Sequence, residues 1–181
     1  MKKKVLFVFM LLVLTVGCDS MMNTPTKRVE EFLNKYQRLD KEILLQLDSI
    51  VDDENSEFNS ENFEEYKDVM KTQYKDLSYI IKEEMIDGDN ATVTVEIEVY
   101  DYKTAIKEAE DFYTANPNEF KTEDGKLDNN KYVNYKIEKM KKAKDRIKYT
   151  LNLTLSRKDK KWVMNNITDT DRQKIHGLYD N

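Results

Sequence analysis

Over much of the first half of the chain, apolar residues recur every three or four positions, a period typical of amphipathic helices. Thr24 followed by Pro25 matches an N-cap with proline at the first helical position. The stripe extends past Asp40, where the helix either continues or restarts. After a polar loop over residues 52–59, Ser60 can cap a further helix. The three stripes are Val29, Phe32, Leu33, Tyr36 and Leu39; Ile43, Leu44, Leu47, Ile50 and Val51; and Phe63, Tyr66, Met70, Tyr74 and Leu77.

The apolar period then changes to two, which is typical of strands with one buried face. Residues 77–86 predict a first strand, and residues 87–90, Asp-Gly-Asp-Asn, predict a hairpin turn. Two later runs carry apolar residues at odd-numbered positions and Thr, Glu, Lys or Asn at even-numbered ones, so we expect the odd face to be buried. Their apolar members are Ala91, Val93, Val95, Ile97 and Val99, and Ile147, Tyr149, Leu151, Leu153 and Leu155.

A helical insertion at about residues 103–145 separates these two runs. Its first helix ends at the Asn116-Pro117 break, and a lysine-rich helix spans about residues 128–143. The apolar stripe of the first helix consists of Ala105, Ile106, Ala109, Phe112 and Tyr113.

The chain closes with a strand over residues 162–167 and a short helix that Thr168 or Asp169 can cap. Helices followed by two hairpins predict an α+β fold. We expect N-terminal helices on one face of a curved four-stranded antiparallel sheet, a cone-like arrangement, with the insertion between the hairpins.

The N-terminus combines lysines at positions 2–4 with an apolar run over residues 5–16. About 20 apolar residues are needed to cross a membrane, so this run has the dimensions of a signal-peptide core. It ends in Leu14-Thr15-Val16-Gly17-Cys18, which resembles the lipobox of bacterial lipoprotein signal peptides, with Thr15 in place of the commoner leucine. The resemblance implies cleavage before Cys18 and a diacylglyceryl group on its sulfur.

This resemblance divides the chain into a signal peptide (residues 1–17), a lipidated tether (18–23) and a single domain (24–181) on the extracytoplasmic side of the cell membrane. Cys18 is the only cysteine and can form no internal disulfide, so lipid attachment gives it a role. The alternative is an ordinary secretory signal in which the cysteine falls there by chance. Asp19 resembles an inner-membrane retention signal, which has meaning only in a two-membrane host.

Composition and charge narrow the classes of partner. The 181 residues include eleven Tyr, seven Phe and one Trp, enough bulk for one core. Removing the leader would take the net charge from -5 to -8, and an acidic domain is a poor binder of nucleic acid. The lysine cluster is flanked by acidic residues and indicates a solvated helix face; it consists of Lys136, Lys139, Lys141, Lys142 and Lys144.

Few residues are available for catalysis. His176 is the only histidine, and its place beside Gly177 indicates a solvent-facing or capping role. With Cys18 carrying lipid, no Cys-His pair, Ser-His-Asp triad or histidine-based metal site can be assembled in one chain. Asp87, Asp89 and the following asparagine lack the glutamate that a calcium loop needs, so they indicate a turn. We therefore expect no metal, no cofactor and no turnover.

The Thr-Pro-capped helix, the Asp-Gly-Asp turn before a Thr-Val-Thr-Val strand and the late Lys-Lys-Trp-Val strand resemble secreted lipoproteins of the nuclear-transport-factor-2-like, cystatin-like superfamily. The resemblance implies the cone-like fold, which hosts binding modules and enzymes. Members such as ketosteroid isomerase use Asp and Tyr inside the cone, and Asp101 with Tyr100 and Tyr102 are the candidates here. Tyr100 and Tyr102 are even-numbered, so the alternation places them on the solvent-exposed face of the sheet, which favours a structural role.

Two classes of function therefore remain open. The first is a non-catalytic module that binds an envelope protein, peptide or polymer, and the second is an isomerase-like or hydrolytic enzyme. For the first class, we expect the binding surface in the insertion at 103–145, because long additions to a compact scaffold are often functional. We also expect the sheet to stay folded when the insertion is deleted.

Overall fold

The computed structural model describes residues 23–49, 58–59 and 62–180, so the leader, Cys18 and Ser60 lie outside the described residues. The helices are α1 (Pro25–Arg38), α2 (Lys41–Asp48), α3 (Phe63–Lys75), α4 (Tyr102–Ala115), α5 (Asn129–Lys142) and α6 (Asp169–His176), with a 3-10 turn at Pro117–Phe120. The strands are β1 (Ser78–Asp87), β2 (Asn90–Tyr100), β3 (Arg146–Lys158) and β4 (Lys161–Met164). No helix in this part of the chain is long and apolar enough to cross a membrane.

Capping residues set the ends of the first helices. The hydroxyl of Thr24 accepts a hydrogen bond from the amide of Lys27 at 3.1 Å, and Pro25 occupies the first turn, as predicted. Leu39 adopts a left-handed conformation (φ 54°) that ends α1, so the chain turns and restarts as α2. The apolar stripe therefore continues across two helices, not one.

The sheet is antiparallel with strand order β1-β2-β3-β4, so both hairpins are formed and β2 lies beside β3. The β2–β3 ladder runs in unbroken register from Asn90 opposite Ser156 to Tyr100 opposite Arg146. The predicted α+β class and the four-stranded antiparallel sheet are thereby confirmed. The last strand is shorter than predicted and ends at Met164, because the polar Asn-Asn pair that follows favours a turn over a continued strand.

Strand parity sorts the two faces of the sheet as predicted. The odd-numbered side chains of β2 and β3 pack against the helices, while the even-numbered ones face outward. The fully or nearly fully buried members are Ala91, Val93, Val95, Ile97, Val99, Tyr149, Leu151, Leu153 and Leu155. On the outer face, Glu96 contacts Lys148 at 3.4 Å and Lys82 at 3.3 Å, and such exposed pairs stabilise by under about 1 kcal/mol.

Truncating one side chain on each face tests this parity. Replacing Leu151, which is 0% exposed, by alanine should cost about 2 to 5 kcal/mol of unfolding free energy, because it leaves a cavity in the core. Thr150→Ala, at the neighbouring outward position, should cost well under about 1 kcal/mol. Urea denaturation of both variants measures the difference, and equal losses would show that the register is wrong.

The insertion is part of the core, which corrects the expectation that it can be deleted. Val133, Ile137 and Met140 of α5 are buried and join the same apolar cluster as the sheet. Their removal would expose the side of α3 against which α5 packs. The far end of the insertion has an aromatic cluster of its own, formed by Phe112, Tyr113, Phe120, Tyr132 and Tyr135.

Helix α6 closes the other side of the core. Thr168 caps it through its side chain, as predicted, and Ile175 is 0% exposed. The helix ends at Gly177, whose positive φ of 70° suits glycine. The carbonyl oxygen of Gly177 accepts a hydrogen bond from the amide of Lys103 at 2.8 Å, which joins α6 to the start of α4.

The buried carboxamide of Gln73 connects three elements at this point. Strand β1 begins opposite Glu98, so Tyr100 extends beyond it. Where β1 no longer pairs with β2, the side chain of Gln73 bonds the backbone of Tyr100. It accepts a hydrogen bond from the Tyr100 amide at 2.8 Å and donates one to the Tyr100 carbonyl at 3.0 Å. The same nitrogen donates to the carbonyl of His176 at 2.9 Å. Gln73 therefore ties α3 and α6 to the end of β2.

Candidate functional site

A groove of about 640 Å³ lies between α1 and the edge strand β4. The apolar part of its lining comes from aromatic and aliphatic side chains, among them Phe32, Tyr36, Val163, Met164 and Ile167. Amphipathic α1 places its aromatic residues toward this strand because their spacing keeps them on one side of the helix. The groove thus has an apolar strip among charged and polar side chains, and one of its walls is an edge of the sheet.

The outer edge of β4 is occupied by Asn23 at its Trp162 end and lacks a strand partner beyond it. The amide of Trp162 points away from β3 and donates to the side-chain oxygen of Asn23 at 3.1 Å. Because outward-facing amides alternate along an antiparallel strand, the amide of Met164 lies on the same outer edge. An extended segment could therefore add to the sheet here, as peptides do at other exposed edges.

Charges of both signs surround the groove. Arg28 contacts Glu31 at 2.7 Å, and Lys35 contacts Glu42 at 2.6 Å. Arg172 lines the same space and contacts the well-exposed Asp169 at 3.4 Å. Exposed pairs of this kind add little stability. The rim therefore suits a mixed polar and apolar ligand better than a highly charged one.

A smaller cavity of about 390 Å³ adjoins the groove and shares Gln46 and Arg172 with it. Here the hydroxyl of Tyr74 and the Nε2 atom of His176 share a hydrogen bond of 3.0 Å. The ring of Tyr36 packs edge to face on Tyr74, with centroids 5.1 Å apart. The groove thus leads to a polar pair set among aromatic rings.

Burial determines the protonation states of this pair. Loss of water, together with a smaller effect of the nearby Arg172 guanidinium, lowers the pKa of His176 to about 4. Burial raises the pKa of the Tyr74 hydroxyl well above its usual range and that of Tyr36 to about 12. At pH 7 all three side chains are uncharged, and a histidine with so low a pKa is a weak base.

The depressed pKa of His176 predicts a pH-dependent stability. In the unfolded chain the imidazole has its ordinary pKa of 6.5, so below that pH the unfolded state binds the proton more readily. The contribution of His176 to the unfolding free energy should be fully present above about pH 6.5 and should decline as the pH falls toward 4. We expect a loss of about 2 kcal/mol from this residue between pH 7.5 and pH 4.5, allowing for its partly exposed ring.

Urea titrations of the wild type and His176→Gln across that pH range measure this contribution. The variant should be less dependent on pH by that amount, while the effects of the carboxylates are shared by both proteins. Parallel pH profiles would contradict the assignment.

The interpretation of His176 as solvent-facing was therefore wrong. Its side chain is partly buried and contacts Tyr74, which lies 102 positions earlier in the chain. Helical periodicity places Tyr74 correctly on the buried side of α3, but no local signal connects it to a short helix at the far end. The residue that ends the helix is the neighbouring Gly177, in a left-handed conformation.

The Asp101 group does not form an acid-base site. The carboxylate of Asp101 caps α4, accepting from the amide of Thr104 at 3.0 Å. The hydroxyl of Tyr100 donates a hydrogen bond to Asp76 at 2.8 Å, and this bond raises the pKa of Tyr100. Tyr102 is 2% exposed and donates to the carbonyl of Val69, so its placement on the wet face was wrong. The parity rule fails there because the chain leaves the strand after Tyr100 and Tyr102 begins α4.

Among the described residues the only buried polar or charged side chains are those of Asn62, Gln73 and Lys136, so no carboxylate lies within the core. Lys136 departs from the expected solvated face, because its stem is buried and its ammonium lies 4.9 Å from the centre of the Tyr132 ring. Lys141 follows the expectation and pairs with Glu65 at 2.7 Å.

A second groove of about 600 Å³ runs between the two helices of the insertion. Its walls carry Asp101, Glu108, Glu138, Lys139 and Lys142, and the Lys139–Glu108 contact of 3.4 Å spans it. The insertion, where the binding surface was expected, thus carries a concavity. Its walls are mainly charged and helical, and they offer no open strand edge.

The segment from Asp87 to Asn90 forms the expected turn. Gly88 and Asp89 are its two central residues, and Gly88 has a positive φ of 56°. Within residues 23–49, 58–59 and 62–180, no cluster of three or more His, Cys, Asp or Glu side chains is placed to hold a metal ion. No protein-family model, curated protein or solved structure matches the chain.

Proposed function

We propose that this protein is an extracytoplasmic lipoprotein, held on the cell membrane through lipid on Cys18, whose domain binds an extended peptide segment in the groove between α1 and β4. The leader and its Gly17-Cys18 end support the anchor. The binding role rests on the groove, and the domain acts as a receptor or assembly module without turnover.

The observation that carries the binding role is the part of the β4 edge beyond Trp162, which has no strand partner and lies beside the apolar strip of the groove. Backbone pairing at such an edge supplies affinity without regard to sequence, and alternate side chains of the peptide fill the groove and supply specificity. Val163, on this strand, is 41% exposed, so a large side chain at the groove's edge is available for contact. The mixed charges of the rim then select the ends of the peptide.

The anchor is tested by replacing Cys18 with alanine and growing cells with a labelled fatty acid. The wild type should incorporate the label and be cut after Gly17, whereas Cys18→Ala should carry no label and remain as the precursor. Unchanged labelling and processing in the variant would overturn the anchor.

The groove is tested with synthetic peptides of alternating apolar and polar residues, measured against the detergent-purified protein by fluorescence polarisation. Val163→Lys, which places a charge at the groove's edge without disturbing a buried site, should weaken binding by about tenfold or more. Leu127→Lys is the matched control, because Leu127 is similarly exposed (48%) but lies in the insertion. Equal binding by both variants, or no binding to the wild type, would contradict the proposal.

An isomerase-like or hydrolytic activity is the second candidate, favoured by the Tyr74–His176 hydrogen bond beside a cavity. The Asp101 group originally considered for it is engaged in capping and packing. His176→Gln separates the two functions: a binding module keeps its peptide affinity in this variant, whereas an enzyme loses turnover. Turnover of any tested substrate that falls with this substitution would favour the enzyme.

A further inference from the structure

The β3–β4 hairpin carries a strong local concentration of positive charge in an otherwise acidic chain. Arg157, Lys158, Lys160 and Lys161 fall within five consecutive residues, with Asp159 as the one acid between them. All five residues are exposed. None of the four cations forms a salt bridge with a carboxylate in the described part of the chain. These charges are therefore available to an external anion.

The hairpin is also a rigid support. Asp159 and Lys160 both have positive φ values, 49° and 63°, which is the geometry of a two-residue type I′ turn. The guanidinium of Arg157 lies 4.5 Å from the centre of the Trp162 ring, and Trp162 is itself buried. The lysines thus project from a fixed backbone, so the turn itself need not be ordered when they bind.

Asn23 fixes the start of the domain beside this tip. Its side-chain oxygen accepts from the Trp162 amide at 3.1 Å and from Arg28 Nε at 3.3 Å, and its nitrogen donates to the carbonyl of Lys160 at 3.3 Å. The point at which the chain enters the domain is therefore held against the basic hairpin by hydrogen bonds.

Covalent geometry then limits how far the hairpin can lie from the proposed lipid. Only five peptide units join Cys18 to Asn23, and they can span at most about 18 Å. The potential of an anionic membrane decays over about 8 to 10 Å at physiological salt. The anchor thus keeps the start of the domain within about two decay lengths of the surface, so the basic tip can reach the zone where this potential acts.

We propose that the β3–β4 hairpin, through Lys158, Lys160 and Lys161, docks on the anionic lipid surface next to the anchor and sets the orientation of the domain. This inference rests on the proposed lipid attachment at Cys18. The neighbouring β1–β2 turn carries Asp87 and Asp89, so the attraction is confined to the β4 side of this end of the sheet. The insertion joins β2 to β3 at the opposite end of the sheet.

The test uses the lipidated protein reconstituted in vesicles of neutral phosphatidylcholine, or of the same lipid with about 30% phosphatidylglycerol. Once Cys18 is acylated, a single cysteine introduced as Asp89→Cys in the neighbouring turn can carry a fluorophore. Nitroxide headgroup lipids in the vesicles then quench it according to its distance from the surface. We expect quenching at least twofold stronger in the anionic vesicles, and loss of that difference at about 0.5 M salt.

Two triple variants of equal charge identify the surface responsible. Substituting Gln for Lys158, Lys160 and Lys161 should abolish the difference between the two vesicle types. The control substitutes Gln for three exposed lysines in the insertion and should keep the difference; these are Lys107, Lys131 and Lys144. Equal quenching by neutral and anionic vesicles, or an unchanged difference in the hairpin variant, would overturn the docking.

Flotation distinguishes failure of the docking from failure of the anchor. Lipidated protein should float with neutral vesicles whether or not the hairpin lysines are present. Protein that fails to float with neutral vesicles would contradict the lipid anchor. It would also remove the short distance on which the docking depends. Flotation with both vesicle types but equal quenching contradicts the docking alone.

Discussion

Gly177→Ala should destabilise the domain by about 4 to 6 kcal/mol, enough to prevent folding in a domain of ordinary stability. A methyl group at this position would overlap the carbonyl oxygen of Tyr100 and the side-chain nitrogen of Gln73. Neither is the free end of a flexible side chain, because Tyr100 is fixed in the sheet and Gln73 is fully buried. The helix α6 would have to withdraw from the core, and Ile175 would lose its burial.

Gly88→Ala is the matched control for this substitution. Gly88 also has a positive φ, 56°, but a methyl group there meets nothing within 4 Å. Gly88→Ala should therefore cost only about 1 kcal/mol of unfolding free energy, the penalty for an alanine in the left-handed conformation. Thermal and urea unfolding of the two variants separate backbone strain from the overlap. Similar losses in both would show that α6 does not pack closely on the end of β2.

Gln73→Leu should cost about 4 to 6 kcal/mol, although leucine has nearly the same volume and the site is fully buried. The substitution leaves the amide and carbonyl of Tyr100 and the carbonyl of His176 without the carboxamide that now bonds them. Each buried backbone group left without a partner costs about 1 to 3 kcal/mol. Urea denaturation followed by circular dichroism measures the loss.

Gln37→Leu provides the comparison for this loss. Gln37 is partly buried and donates a single hydrogen bond, to the carbonyl of Leu77 at 2.8 Å. Its replacement should cost about 1 kcal/mol. If both glutamines prove equally dispensable, the three bonds of Gln73 contribute no more than one bond does, and α6 is held by apolar packing alone.

The strand and helix patterns were predictable wherever the determinant is local. Alternation along β2 and β3 gave the correct buried face, because period-two spacing decides which side of a sheet a residue occupies. Thr24 and Thr168 were recognised as caps for a similar reason, since a cap bonds an amide three residues away. The restart after Asp40 was left open, because Leu39 adopts a left-handed conformation that leucine rarely takes.

The contacts that build the site were not predictable, because they join residues far apart in the sequence. Tyr74 meets His176 across 102 positions, and Asn23 meets Trp162 across 139. The pattern of α5 showed a helix but not which surface it would cover, so the insertion was taken to be functional but unnecessary for folding of the sheet. Tyr102 was misplaced because parity holds only while the chain remains in the strand.

The closure of the core by α6 has a consequence for export of the chain. Ile175 and Gly177 follow all four strands in the sequence, and Gln73 cannot complete its hydrogen bonds until His176 has been synthesised. A chain emerging from the ribosome therefore lacks the contacts that fasten the domain until almost all of it has been made. Under the proposed export, such a chain would stay open to a translocation channel that admits only unfolded polypeptide, and folding would follow on the far side of the membrane.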